Sequence, residues 1–141
     1  MSSLPTSPMM DAPACGWAAV REEWAAEVER FIAEVETWTA RRGWGTLQDP
    51  KEIVEGELGR YIVPRLLVHE IFGKTIFDPC YCFIVGADGL IDLSAMPSWD
   101  GNTLIRTDGA WELLKTDAEG ERVPWSEAAF VGTIRELHGA Q

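Results

Sequence analysis

Two cysteines and a histidine form the only grouping in the sequence that suggests a metal site. Cys80 and Cys82 are separated by one residue, and His69 precedes them on another strand-like run. Residues two apart on a strand point to the same side, so both sulfurs could meet His69 across neighbouring strands, with Asp78 or Cys15 as a fourth ligand. Structural zinc sites usually separate their paired cysteines differently, and free cysteine is among the most buried residue types. The pattern therefore favours buried core thiols, with a metal site as the second interpretation.

Few residues are suited to acid–base or nucleophilic catalysis. His138, the other histidine, falls in the last turn of a predicted helix, where a cation suits the helix dipole. No Gly-x-Ser-x-Gly turn and no glycine-rich strand-to-helix loop is present. If a small-molecule pocket lies between helix and sheet, its polar groups would come from His69, Tyr81, Asp92 and Arg106. The sequence therefore does not indicate an enzyme, and we expect no cofactor.

Two tryptophans fall in predicted loops. Trp44 is flanked by glycines, and Trp99 is followed by Asp100. A loop tryptophan commonly covers the edge of a core, but tryptophan is also enriched at the energetically important positions of protein interfaces. Our functional prediction is that Trp44, Trp99 and Asp100 bind a partner, and core-edge anchoring is the alternative.

The charge of the chain narrows the class of partner. The 141 residues include 23 acidic and 12 basic side chains, a formal net charge of −11. Phosphate backbones and anionic lipids would be approached against repulsion, so we expect neither nucleic acid nor membrane as a partner. The charge is compatible with a basic protein partner, and equally with simple solubility.

Cysteine content and hydropathy predict a cytoplasmic location. Three cysteines do not make a secreted disulfide framework. The first residues lack the basic start and apolar run of a signal peptide, and no run reaches the ~18 apolar residues of a membrane span. The oligomeric state, monomer or homodimer, is left open.

One long helix is predicted to organise the fold. Trp17, Trp24, Phe31 and Trp38 recur every seven residues, a spacing that nearly returns to the same side of an α-helix. The apolar stripe predicts an amphipathic helix over Trp17–Arg42, a rod of roughly 39 Å. Glutamates at two positions of the second seam argue against a coiled coil.

The middle of the chain predicts an antiparallel meander of five or six strands. Two Asp-Gly turns, at residues 86–89 and 108–109, are typical of tight hairpins. Pro64 predicts that its strand lies at an edge or bends. Loops are predicted at residues 43–45 and at Asp49-Pro50, and an edge strand or irregular extension at Glu52–Leu58. The later strands are predicted over Tyr61–Ile71, Thr75–Val85, Leu90–Met96, Asn102–Thr107 and Ala110–Thr116.

The last element carries the signature of a helix start. Ser126 can cap, and Trp125 can pack on Phe130 as a hydrophobic staple. The expected fold is α+β, with the long N-terminal helix on the meander sheet and a C-terminal helix beside it. Residues 1–14 are predicted to be a flexible tail, and residues 15–141 a single domain.

Size, acidity and the loop tryptophans favour a small protein-interaction module without catalysis. In outline it resembles small inhibitors, immunity proteins and secretion chaperones, which is an analogy of fold alone. The alternatives are the small-molecule pocket and the metal-binding domain described above.

Overall fold

A computed structural model describes residues 16–70, 73–82, 88–96, 101–115 and 121–138. The predicted tail, residues 1–14, lies outside these ranges. The elements, in chain order, are α1 (Trp17–Arg41), β1 (Gly45–Glu55), a short 3-10 turn (Gly56–Leu58), β2 (Gly59–Glu70), β3 (Gly73–Tyr81), β4 (Leu90–Met96), β5 (Gly101–Thr107), β6 (Ala110–Leu114), β7 (Arg122–Pro124) and α2 (Glu127–Leu137). The described strands form one antiparallel sheet whose spatial order is the chain order, so the sheet is a meander.

The long helix forms as its spacing predicts. Its buried residues follow the apolar stripe, and Trp24, Phe31 and Trp38 are at most 9% exposed. Gly43 follows the helix with a φ of 74°, a left-handed conformation that glycine adopts without a Cβ clash. The exposed side of the helix carries glutamates and arginines, and the side that carries the tryptophans packs on the sheet.

Both helices cover the same face of the sheet. Phe77 of β3 lies 6.0 Å, centroid to centroid, from Phe31 of α1 and 6.0 Å from Phe130 of α2. Trp38 and Phe130 link the two helices directly at 5.7 Å. These aromatic contacts fill the space between the helices and the sheet with apolar side chains.

The local signals at one turn and one helix start are confirmed. Thr107 pairs with Ala110 across Asp108 and Gly109, whose φ values of 52° and 79° are those of a type I′ turn. Ser126 caps α2 by accepting a hydrogen bond from the N–H of Ala129 at 3.1 Å. The predicted staple also forms, with the rings of Trp125 and Phe130 6.1 Å apart.

The type I′ turn predicted at Asp88-Gly89 is wrong, because neither residue has a positive φ. Both pair with Arg106 instead: the Asp88 N–H donates to the Arg106 carbonyl at 2.6 Å, and the Arg106 N–H donates to the Gly89 carbonyl at 3.0 Å. Residues 86–87 of this predicted turn lie outside the described ranges.

The strand count differs from the prediction because local breakers were overridden. The described residues form seven strands where five or six were expected, and β7 was not predicted. The loop predicted at residues 43–45 is found at Gly43 and Trp44, but β1 begins at Gly45 and passes through Asp49-Pro50, so the loop predicted there is wrong. Pro50 lies on an edge strand and faces Pro64 of β2, where a missing N–H is tolerated. The prediction that Pro64 lies at an edge or a bend fits the pairing: β2 pairs with β3 only from Leu66 onward, so Pro64 has a partner strand on one side only.

Candidate functional site

His69 and the cysteines lie at different ends of β3. His69 pairs with Lys74 near the start of β3, and Cys80 lies six residues further along that strand. At about 3.3 Å per residue, roughly 20 Å separates them along the strand. Among the described residues, no group of three or more histidine, cysteine or acidic side chains is placed to hold a metal. Cys15 lies outside the described ranges.

A register shift places the two cysteines in different surroundings. Pro79 pairs with Ile91 and Tyr81 with Leu90, so Cys80 is an extra residue at this point of the pairing between β3 and β4. Because of this shift, Cys80 and Cys82 do not point to the same side of the sheet as regular alternation predicts. Cys82 is 3% exposed and belongs to the core, whereas the Cys80 thiol donates to Asp92 at 3.4 Å on the other face of the sheet.

Neither thiol is activated. Burial raises the pKa of Cys80 to about 11 and that of Cys82 to about 12, with nearby carboxylates adding to both shifts. A thiol protonated at neutral pH is a poor nucleophile and a poor metal ligand. The arrangement therefore suits structural cysteines.

The four residues proposed for a helix–sheet pocket are not brought together. His69 is exposed at the end of β2, and Asp92 lies on the face of β4 that points away from the helices. Arg106 lies beneath α1, where its guanidinium meets Glu23 at 3.3 Å. The backbone of Tyr81 closes β3, and its side chain is outside the described part of the structure.

Arg106 belongs to a polar seam that fastens α1 to the sheet. Its side chain is 7% exposed and stacks on Trp24 at 5.5 Å. Glu27 lies 3.6 Å from the guanidinium and accepts a hydrogen bond from the indole of Trp111 at 3.0 Å. Carboxylates of α1 balance the positive charge of this buried guanidinium, so Arg106 has a structural role.

A second buried polar cluster joins α2 to the start of β3. The side chains of Glu70 and His138 are 0% and 3% exposed, and Glu70 Oε1 lies 2.7 Å from His138 Nε2. Burial raises the pKa of Glu70 to about 7 and lowers that of His138. Both shifts favour a protonated carboxyl that donates to a neutral imidazole.

Thr75 completes this cluster, but the three side chains do not form a catalytic triad. Its hydroxyl lies 3.0 Å from His138 Nε2, the same nitrogen that Glu70 contacts, whereas a triad needs the two ring nitrogens to serve different partners. Thr75 is also 0% exposed, so no substrate could reach it.

Of the two loop tryptophans, Trp44 lies at the edge of the core, and Trp99 lies outside the described residues. Trp44 is half-buried, and its ring meets Phe130 edge-on at 6.0 Å. This position is the core-edge alternative, although part of the ring is open to solvent just before β1. Trp99 and Asp100 lie outside the described residues.

The exposed large hydrophobic side chains are concentrated on one hairpin. Among the described residues, Leu47, Val54 and Ile62 are 64%, 69% and 61% exposed, and all three lie on the paired strands β1 and β2. Elsewhere in the described fold, large apolar side chains are buried or half-buried. This hairpin also carries one of the two edges of the described sheet, because β1 is the first strand and pairs only with β2, and β7 is the other edge strand.

An open groove lies beside Leu47 on the face of the sheet away from the helices. It encloses about 350 Å³, and its apolar lining comes from Leu47, Leu67, Ile76 and Met96 on four strands. A smaller depression of about 190 Å³ shares Leu47 and Leu67 and reaches His69. The two depressions share Leu47 and Leu67 and form one continuous strip along the β1 end of the sheet, which we call the apolar strip; Asp49, Arg65 and Lys74 also line it.

Ion pairs fix the polar rim of this strip. Arg65 donates two hydrogen bonds to the carboxylate of Asp49, its direct partner across the hairpin, at 3.1 and 2.6 Å. This contact holds the pKa of Asp49 below its usual range. Lys51 donates a hydrogen bond to Asp78 of β3 at 2.6 Å. This contact ties the part of the hairpin beyond its last pair with β3 to the rest of the sheet. The hairpin is therefore a fixed surface with both strands held in register.

Comparison of the chain with protein-family models, with curated proteins and with solved structures finds no match. Within the described residues, neither helix combines the length and the apolar character that a bilayer crossing requires. The site is therefore argued from its own geometry.

Sequence reasoning missed the hairpin surface because its signals pointed elsewhere. Glycines and Asp49-Pro50 in β1 are typical of loops, so Leu47 was not placed on a strand. The one available signal was the length of the apolar run in β2. A run that long needs a partner strand along its whole length, including the part that contains Pro64. The contact of Glu70 with His138 joins residues 68 positions apart, which no local pattern indicates.

Proposed function

We propose that this protein is a small protein-binding module without catalytic activity, and that the β1–β2 hairpin is its binding surface. The observation that carries the proposal is the concentration of exposed apolar side chains on one hairpin that also carries a sheet edge: Leu47 beside the apolar groove, and Val54 and Ile62 on the opposite face. Exposed apolar surface costs free energy in water, and apolar surface gathered on one element typically marks an interaction site.

The chemistry of the remaining fold agrees with binding rather than catalysis. Two of the described polar clusters are closed or paired: the side chains of Glu70 and His138 are at most 3% exposed, and the charge of Arg106 is balanced by carboxylates of α1. An open active site would present such groups to a substrate. We place the protein in the cytoplasm, where the raised thiol pKa values and unpaired Cys80 and Cys82 are consistent with a reducing environment.

The test compares complexes formed by two variants of the tagged protein expressed in its own host. Leu47→Asp places a charge in the apolar strip of β1, and Ala110→Asp places the same charge at an exposed position of β6, with four strands between them. We expect native mass spectrometry to show a partner at fixed stoichiometry with the wild type and with Ala110→Asp, and none with Leu47→Asp. A partner retained by Leu47→Asp, or the absence of any partner, would overturn the proposal.

A further inference from the structure

We propose that the occupant of this surface is an extended polypeptide segment that adds to β1 as a further strand, with apolar side chains on the groove side and lysine or arginine on the α1 side. This inference rests on the proposed function and specifies the chemistry of the partner. It follows from three features of the described residues: a strand edge, an apolar strip and an acidic flank of the helix.

The edge of β1 supplies the backbone contacts. From Gly45 to Asp49 the strand is paired with β2 on one side, and within the described chain no strand lies on the other. An edge strand presents a row of backbone N–H and C=O groups, and an extended peptide satisfies them by joining the sheet. The side chains of an added strand then alternate between the two faces of the sheet.

On the groove side, an added strand meets apolar surface. Leu47 is 64% exposed and pairs with Leu67 of β2, and the groove continues past Ile76 of β3, with Lys74 beside it, to Met96 of β4. A side chain placed opposite Leu47 on a new strand would lie on the same face and cover it. Valine, isoleucine or leucine at that position would remove apolar area from water on both partners.

On the helix side, the same strand meets carboxylates. Glu22, Glu29 and Glu36 recur every seven residues and therefore share one flank of α1. Glu36 accepts a hydrogen bond from Gln48 of β1 at 2.9 Å, which places this flank above the edge strand. We call these three residues the acidic row.

One depression beside the acidic row fits a long basic side chain. It encloses about 290 Å³, with Glu29 on one wall and apolar surface from Pro50, Ile62 and Pro64 on the others. Lysine and arginine bury an apolar stem and keep a charged head near a counter-charge, which is the pattern this depression presents.

The charge balance of the hairpin singles out a basic partner. Its cations are already paired, Lys51 with Asp78, Arg60 with Glu52 and Arg65 with Asp49. Within the described chain, neither Glu22 nor Glu29 forms an ion pair within 4.0 Å. A second copy of this chain also has a net charge of −11. It would bring the same carboxylates to the edge of β1, where they would repel those of the first copy. A basic segment removes that repulsion, so charge favours it over self-association.

Synthetic peptides test the proposal directly. The probe is an acetylated, amidated heptapeptide that alternates valine and lysine, beginning and ending with valine. One control peptide has the same composition with the valines and lysines in separate blocks, and a second replaces lysine with glutamate. We expect the alternating lysine peptide to bind at low salt at least tenfold more tightly than either control. Its binding should slow hydrogen exchange at the amides of residues 45–49.

Matched variants locate the charge contact. Glu29→Gln with Glu36→Gln should weaken binding of the alternating peptide about tenfold, as expected for the loss of two surface ion pairs. Glu34→Gln with Glu121→Gln removes the same charge from residues away from the acidic row and should change binding less than twofold. Equal losses in the two double variants would show only a net-charge effect and would overturn the proposal.

The remaining outcomes separate this inference from the proposed function. If Leu47→Asp abolishes capture of the natural partner but the alternating peptide does not bind, or binds without protecting residues 45–49, the inference fails and the binding surface stands. A wild-type dimer in native mass spectrometry that Leu47→Asp dissolves would identify a second copy as the occupant and overturn the inference. Failure of both the partner and the peptide experiments overturns both proposals.

Discussion

The covered face of the sheet and the β1–β2 hairpin use the same apolar residue types but expose them very differently. On β2 alone, Leu66 and Val68 are 0% exposed, whereas Ile62 is 61% exposed. Leu66 and Val68 pack beneath the helices. Ile62 lies on the part of β2 that precedes its first pair with β3 at Leu66. This difference suggests that the covered face supplies stability and the hairpin supplies recognition. The predictions that follow test this division.

The largest effect is expected from the covered face. Trp24 is 0% exposed, donates a hydrogen bond to the hydroxyl of Tyr61 at 3.1 Å and stacks on Arg106. Trp24→Ala leaves a large cavity and removes one hydrogen bond, so we expect the free energy of unfolding to fall by about 3–5 kcal/mol. Urea denaturation followed by circular dichroism measures it.

Trp44→Ala is the matched control for that measurement, because Trp44 is half-buried at the core edge. We expect it to cost clearly less than Trp24→Ala. Equal losses for the two variants would mean that exposure does not separate structural from accessible tryptophans in this fold.

The next largest effect is a pH dependence centred on Glu70. The ordinary pKa of the carboxyl is 4.5, and burial raises it to about 7 in the folded protein. Between these values the unfolded chain loses the proton while the folded chain keeps it, so stability falls as pH rises through this window. The loss is complete above about pH 7 and amounts to about 3 kcal/mol.

His138 contributes with the opposite sign. Burial lowers its folded pKa below 6.5, so the unfolded chain takes up the proton first as pH falls and stability is lost on the acid side. The difference between wild type and Glu70→Gln isolates the carboxyl, because the histidine is present in both.

We expect Glu70→Gln to gain stability relative to wild type between pH 5 and pH 8, measured by urea denaturation at each pH. Glu57→Gln, an exposed carboxylate on the 3-10 turn, should show no such gain. A pH-independent difference for Glu70→Gln would mean that the carboxyl keeps the same protonation state in both forms of the chain.

The sequence predicted elements whose signals are local and failed where distant residues decide. The heptad spacing of Trp24, Phe31 and Trp38 and the cap at Ser126 each act within one helix, and both are confirmed. β1 forms against its own loop signals because eleven residues of β2 pair with it. Local propensity is a weak prior when a whole partner strand is available.

The candidate site was harder to predict than the fold for the same reason. The groove takes one apolar side chain from each of four strands, so it exists only once the register is set. The one-residue slip after Pro79 separates Cys80 from Cys82, and strict alternation cannot anticipate it. The second interpretation of the sequence, a metal site built on Cys80, Cys82 and His69, therefore finds no cluster in the described register.

A smaller effect is expected at the start of α2. Ser126 accepts the hydrogen bond of the Ala129 N–H, one of the donors that a helix start leaves without a partner. Ser126→Ala should lower the free energy of unfolding by about 1 kcal/mol, and Ser126→Asp should largely preserve it. Thermal unfolding of the three proteins checks both values, and equal losses for alanine and aspartate would show that the cap contributes nothing.

The smallest effect on stability is expected from the hairpin, and it is the sharpest test of the comparison. Leu47→Thr, Val54→Thr and Ile62→Thr keep strand propensity while removing exposed apolar surface, and each should change the free energy of unfolding by less than about 0.5 kcal/mol. Leu66→Thr makes the same kind of change at a position that is 0% exposed and should cost several times more. If the triple hairpin variant lost as much stability as Leu66→Thr, these side chains would be part of what holds the sheet together. Their exposure would then give no reason to expect a partner, because the apolar surface would already serve the fold.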